Sequence, residues 1–204
     1  FQNKLYNIPI YTNKLLFNEA KLFCEWYVPE NLKKNRIKIN KKLKLKIKNL
    51  LNNLKLKNNI IVHRDFHVSN LMLYKKKLGI IDSQDAVVGN EAYDLASLVD
   101  DVRYKTSNSF KSKIYNYYLE KNKKNLNKNS FSNDFEILSV VRNLKIIGIF
   151  TRLARRDNKQ IYLKLIPYTW RLIDLRCKNN KLLINFKNFL YKNFSKSVRN
   201  KYAS

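Results

Sequence analysis

The stretch "IIVHRDFHVSNLMLYKKKLGIIDSQDA", residues 60–86, decides how the rest of this chain is read. Its opening run, "IIVHRD", is short and β-branched, which predicts a buried strand. "NLMLY" and "LGIID" predict two further short strands folded back around "KKK" as a hairpin, with Gly79 near the return. Both histidines of the chain, His63 and His67, lie here. So does the start of its densest run of acids: none lies between Glu30 and Asp65, and then seven of the fifteen Asp and Glu fall from Asp65 to Asp101. In a chain with 42 Lys and Arg, such a concentration needs a reason.

Outward from this stretch the pattern turns helical. Upstream, Thr12 or Asn13 caps a helix through "KLLFNEAKLFCEWYV", with Leu15, Leu16, Glu19, Leu22, Phe23 and Trp26 at helical spacing and Pro29 as its expected end. "KKLKLKIKNLLNNLKL" alternates like a strand over 42–48, but Leu43, Ile47, Leu50, Leu51 and Leu54 line one helical face and the length favours helix. Downstream, "EAYDLASLVDDV" opens a helix after Gly89-Asn90, and helices are expected near 109–121, 133–156, 160–177 and 180–193. The third of these, "NDFEILSVVRNLKIIGIFTRLARR", is apolar nearly all round, as a helix in the middle of a bundle is. The expected class is therefore α+β: a mostly helical body carrying a small β element with the acids.

Composition narrows the partners. At 204 residues and 45% apolar content the chain can bury a core without staples. Cys24 and Cys177 have neither metal-ligand spacing nor framework partners, which suggests a reducing, cytoplasmic setting. No apolar run approaches the roughly 20 residues of a membrane span, so no membrane partner is expected. The net charge of +27 invites a nucleic-acid reading. However, Lys, Asn and Ile are overused together, as an AT-rich coding sequence produces, and the lysines are spread along the chain without an interleaved aromatic stripe. No specific nucleic-acid partner is expected.

The chemistry lies in "HRDFHVSN" followed by "IID". His63, Arg64, Asp65 and Asn70 fill H-R-D-x-x-x-x-N, and Asp82 stands where the metal-binding aspartate of D-F-G stands in protein kinases. A hydroxyl nucleophile needs a carboxylate within hydrogen-bond reach, the role expected of Asp65. A nucleotide's Mg²⁺ needs hard oxygens, which Asn70 and Asp82 supply. Two carboxylates about 6 Å apart repel by roughly 3 kcal/mol at an effective dielectric near 20, so converging Asp65, Asp82 and Asp85 calls for a metal, lysine or arginine among them. A rival reading places His63, Asp65 and His67 on one strand as part of a zinc site, but the chain has no further histidine to complete it. Otherwise His63 braces the loop and His67 has no assigned role.

"VHRDFHVSNLM…LGIIDSQDAVVGNEAYDLASLVDDVR" resembles the aminoglycoside phosphotransferase superfamily, kinase-like enzymes of small molecules. Within it, "DSQDAVVGNEAYDLASLVDD" and "RNLKIIGIFTRLARRDNKQIYLKLIPYTW" are similar to the group of bacterial N-acetylmuramate/N-acetylglucosamine anomeric kinases, and "LLFNEAKLFCEWYV" resembles the segment ahead of their catalytic loop. The resemblance implies the helical C-terminal lobe of a protein-kinase-like fold, ATP as co-substrate, Mg²⁺, and a small sugar as acceptor, in cytoplasmic recycling of peptidoglycan sugars. It implies Asp65 as catalytic base, Asn70 and Asp82 as metal ligands, and Asp94 as a structural aspartate holding the loop. Gln84 and Asp85 become candidates for sugar contact or for loop anchoring. Arg142, Arg152, Arg155 and Arg156 become candidates for a phosphate or an acidic sugar, against the ordinary reading of ion-paired helix faces. Ser83 departs from the phenylalanine usual in D-F-Q-D-A. With glycine only at 79, 89 and 148, no glycine-rich phosphate loop is present, and no strand lysine precedes residue 60. The chain is thus expected to be this lobe over 1–204, lacking an N-terminal nucleotide-clamping lobe and leaving apolar surface where that lobe belongs. Alternatives are a kinase of another small molecule (an aminoglycoside, choline or homoserine) and a non-enzymatic basic module.

Overall fold

In a computed structural model, the structure describes residues 7–124 and 126–203. Helix α1, Asn13–Leu22, starts where the Thr12 hydroxyl accepts the N–H of Leu15 at 3.3 Å; Asn13 instead donates to the Leu51 carbonyl. It runs into a π-helical turn, Phe23–Tyr27, and on into α2, Val28–Asn31. Pro29 therefore does not end the helix, as expected, but sits in the first turn of α2. There a missing N–H costs little, and the wide turn before it relaxes the usual clash with the preceding carbonyl. The chain leaves helical geometry at Leu32, after the Asn31 amide has bonded the Tyr27 carbonyl.

Helix α3, Arg36–Asn52, buries Leu43, Ile47, Leu50 and Leu51 on one face, so burial decides for helix over strand. The β element follows. Strand β1, Asn58–Val62, ends one residue before His63; β2, Leu71–Tyr74, and β3, Lys77–Ile80, form the hairpin; β4, Val87–Asn90, was not expected and pairs antiparallel with β1. In the β1–β4 register Ile60, Ile61 and Val62 face Gly89, Val88 and Val87. A Cβ at Gly89 would lie 2.9 Å from the Val62 side chain, which explains glycine there. Of the expected buried strand only Val62 and His63 are buried, and Ile61 is 65% exposed, because β1 has a partner on one edge and little cover.

Gly79 is not at the hairpin return. It lies within β3 opposite Met72, and the turn is made by Lys75 and Lys76 at φ 47° and 64°. Two positive φ values in a two-residue turn match the twist of the strands but suit Asn-Gly far better than lysine. Replacing Lys75-Lys76 by Asn-Gly is expected to stabilise the fold by about 0.5–1 kcal/mol. A lower melting temperature in the double variant would contradict this turn geometry.

The remaining chain is helical: α4, Ala92–Val99; α5, Asn108–Lys121; α6, Lys128–Arg156; α7, Ile166–Arg176; α8, Lys181–Asn193; and α9, Lys196–Arg199. The single helix expected over 160–177 is a 3₁₀ segment, Gln160–Leu165, and then α7, since Pro167 can only start a helix. Helix α6 begins five residues before its expected start, capped by Asn127, and is packed on by α1, the π turn, α4 and α7. Phe23, Tyr27, Trp170 and Phe194 pack ring to ring at 4.9–5.9 Å, joining the π turn to α7 and the end of α8. The thiols of Cys24 and Cys177 are free and buried within this core.

Two buried aspartates tie distant segments together, one joining the β element to α6 and one joining α4 to α7. Asp134 of α6, wholly buried, accepts N–H bonds from Lys55 and Leu56, both at 2.8 Å, and the Asn90 amide at 2.7 Å. It thereby fixes the entry to β1 and the exit from β4 together. Asp100, at the end of α4, accepts from Nε and Nη2 of Arg176, each at 2.7 Å. Burial pushes its carboxyl upward, but Arg176, Ser139 and Lys111 outweigh that and hold it below the ordinary aspartate range. No helix among the described residues is long and apolar enough to cross a membrane.

Candidate active site

The loop between β1 and β2 is built by its own backbone. The carbonyl of Asp65 accepts the N–H of His67 at 3.0 Å and the side-chain amide of Asn70 at 2.9 Å. The spacing of five residues is what lets Asn70, at the end of a short 3₁₀ turn, reach back to Asp65. One N–H of its amide is thereby used, and its Oδ1 has no hydrogen bond among the described residues.

Asp94 accepts the N–H of His63 at 2.7 Å and that of Arg64 at 3.1 Å, and so supports the loop from below. Burial lifts its carboxyl above the usual range while these two N–H bonds pull it back. His63 places Nε2 2.9 Å from the carbonyl of Ile81, which makes Nε2 the protonated nitrogen and spends it on the fold rather than on a metal. The N–H of Ile81 in turn donates to the Asn70 carbonyl at 3.1 Å. Ile81 is thus held from both sides, and the residue after it is Asp82.

Asp82 is exposed and left-handed, at φ 68°, and its Oδ1 accepts the Gln84 amide at 2.6 Å. Gln84 therefore anchors the Asp82 carboxylate, and Asp85 offers its carbonyl to Arg64 at 3.2 Å; both contacts are loop contacts. Arg64 itself holds a left-handed φ of 72°. Left-handed non-glycine residues cost of order 1 kcal/mol each and persist where the surroundings over-determine them. For Arg64 those surroundings are Glu19 at 2.5 Å, the face of Tyr11, and the Asp94 carboxylate below.

Glu19 is a functional neighbour that the sequence reading used only as a member of a helical face. It takes Lys145 at 2.9 Å, Arg64 and the Tyr11 hydroxyl. Burial disfavours its charge, but Lys145, Tyr11 and Arg64 hold its carboxyl below the ordinary range. An acid embedded among Leu15, Leu16, Leu22 and Phe23 was the available signal. Lys145 lies one turn from Arg142 on α6, and an ammonium within "NLKIIGIF" was likewise a signal. Asp101 was missed too: it accepts the N–H of Val68 at 3.2 Å and that of Arg103 at 3.0 Å, holding the loop's far side. His67 is buried next to it, and burial followed by the charge of Arg103 keeps its imidazole below its usual range.

Hydrogen bonds link the Asp65 carbonyl to Asn70, and Asn70 to Ile81, the residue before Asp82, and Asp65 has a second set of neighbours. Its side chain lines a small cavity with Arg103, Arg142 and Lys145, to which Asn70 and Asp82 do not contribute. Of the other candidate arginines, Arg155 pairs with Glu30 and Arg156 with Asp157 at 2.7 Å, the ordinary ion-paired faces. Among the described residues no three His, Cys, Asp or Glu side chains converge on one point. A divalent ion here depends on the free Oδ1 of Asn70 and the second oxygen of Asp82, hard neutral and anionic donors of the kind Mg²⁺ takes with phosphate and water. The residues fit that group.

A family model described as a phosphotransferase enzyme family matches residues 8–125. An N-acetylmuramate/N-acetylglucosamine kinase of Neisseria meningitidis is 34% identical over 166 residues, covering 78% of this chain and 50% of that protein. Kinases of the same name from Pseudomonas putida and Pseudomonas aeruginosa are 31% and 30% identical, covering 78% and 82% of this chain and 49% and 51% of theirs. The chain spans about half the length of these curated relatives.

Proposed function

From a chain that belongs to the phosphotransferase enzyme family, we propose the helical lobe of an ATP-dependent sugar kinase. Its acceptor is the anomeric hydroxyl of N-acetylmuramate or N-acetylglucosamine, in cytoplasmic recycling of cell-wall sugars. The observation that carries the chemistry is the frame Asp65–Asn70–Ile81–Asp82, in which two backbone-held segments present a carboxylate and a pair of hard oxygen donors. Asp65 aligns the acceptor hydroxyl and takes its proton as the phosphoryl group departs the nucleotide. Asn70 and Asp82 hold Mg²⁺, which when bound neutralises phosphate charge. The rest of the frame keeps these groups from moving: His63 and Asp94 fix the loop backbone, and Gln84 fixes the carboxylate of Asp82. Such catalysis is positioning and electrostatics rather than covalent chemistry.

A nucleotide-clamping lobe completes the enzyme in this proposal, and the lobe described here is inactive alone. Two findings support it: the match to half the length of the relatives, and exposed Ile61, Leu73, Leu78 and Ile80 on the β element. Exposed apolar residues grouped on one hairpin, as Leu73, Leu78 and Ile80 are, are usually covered.

The test is ATP consumption by the two-lobe protein across N-acetylmuramate, N-acetylglucosamine, an aminoglycoside, choline and homoserine. Turnover confined to the last three would assign a different small-molecule kinase, and turnover with none would end the kinase reading. Asp82→Ala is expected to lower turnover at least about 10²-fold and to raise the Mg²⁺ concentration required. An unchanged magnesium dependence would remove Asp82 from the metal site.

A further inference from the structure

Arg142 lies on α6 one turn before Lys145 and is only 5% exposed, yet its Nη1 has no hydrogen-bond partner among the described residues. A buried guanidinium nitrogen without an acceptor is costly, and native structures supply one. The cavity it lines, about 50 Å³, is also lined by Asp65, Arg103, Lys145, Ile146, Ile149 and Phe150. That is room for a few water-sized groups. Three cations and one carboxylate surround it. Lys145 is matched by Glu19 at 2.9 Å, and Arg103 by Asp101 at 3.8 Å, so Arg142 is the cation in the wall left without an ion pair among the described residues. Phe150 and the two isoleucines make its remaining wall apolar.

We propose that this cavity is an anion subsite in which Arg142, flanked by Arg103 and Lys145, receives the carboxylate of an acidic sugar while Asp65 meets the hydroxyl to be phosphorylated. The proposal rests on the sugar-kinase reading and deepens it. N-acetylmuramate differs from N-acetylglucosamine by a lactyl ether, a three-atom carboxylate on a methyl-bearing carbon, which matches the cavity in size, in charge and in its apolar side. A planar guanidinium recognises a carboxylate through two parallel bonds, which a lysine cannot reproduce.

The test has a binding arm and a turnover arm, both on the two-lobe protein. In calorimetric titrations without nucleotide, N-acetylmuramate is expected to bind the wild type more tightly than N-acetylglucosamine, and Arg142→Gln is expected to erase that difference. In turnover, the ratio of kcat/KM for N-acetylmuramate over N-acetylglucosamine is expected to fall roughly 10- to 100-fold in Arg142→Gln. Arg103→Gln, at the more exposed edge, should lower the same ratio in the same direction and serves if Arg142→Gln does not fold. Equal losses for both sugars would mean that Arg142 only supports the fold, and the subsite would be rejected. Equal binding of the two sugars by the wild type, or binding of neither, would leave the cavity to water and reject it too. If N-acetylmuramate binds preferentially through Arg142 but neither sugar is phosphorylated, the kinase reading fails and the subsite stands.

Discussion

Asp65→Asn is expected to lower kcat about 10³-fold in the two-lobe enzyme, with the KM for sugar and nucleotide changed by no more than a few-fold. The substitution is nearly isosteric. What it removes is the ability to accept the proton of the attacking hydroxyl. The loop should survive, because its geometry is set by the backbone carbonyl of Asp65, which the N–H of His67 and the amide of Asn70 hold irrespective of the side chain. Among the described residues no hydrogen bond or ion pair engages the Asp65 carboxylate, so the melting temperature should hold as well. Steady-state release of ADP, beside a thermal melt of the same variant, separates the two effects. Turnover within a few-fold of wild type would remove Asp65 from the catalytic role.

Gly148→Ala should be the most damaging single methyl in the fold, costing about 3 kcal/mol or more. Gly148 faces α1 where it passes into the π turn, and a Cβ there would fall inside the van der Waals radii of the Leu22 carbonyl carbon and the Phe23 nitrogen. Both are backbone atoms, so no rotamer change relieves the overlap. The helices must separate, and with them the packing of Phe23 against Trp170 and Phe194. Chemical denaturation reads the loss directly. A variant as stable as wild type would show that α1 and α6 do not approach as closely as described.

The effect should also reach the site. Glu19 on α1 joins Lys145 on α6 and Arg64 in the loop, so parting the two helices loosens the support behind Asp65. In a partly stabilised background, Gly148→Ala is therefore expected to weaken turnover more than a core cavity placed far from α1 would.

The local order of the residues was sufficient for much of this. H-R-D-x-x-x-x-N with Asp82 twelve residues beyond Asn70 gave the candidate site, because reach within a loop and a hairpin is a matter of sequence spacing. The helical faces of α3 and α6 could be read because 3.6-residue periodicity is local. The resemblance also pointed to His63 and Asp94, whose contacts run to Ile81 and to the backbone of the loop. Strand β4 escaped because "VVGN" is too short to carry a period, and the hairpin turn was misplaced because glycine is only one way to reach positive φ. Pro29 misled because a π turn, which leaves no mark in the sequence, made room for it.

Only the tertiary structure decided which charges meet. Glu19, Asp65, Asp101, Arg142 and Lys145 come from two helices and two loops, and their convergence depends on how α1 and α6 cross at Gly148. Four arginines on one helix look alike in sequence; Arg155 and Arg156 have found carboxylates at the surface, Arg152 is half-buried with its Nε unpartnered, and Arg142 alone of the four is buried. Hydrophobic pattern and spacing are encoded along the chain, whereas the neighbours that set the energy of a charge are assigned only when distant segments pack.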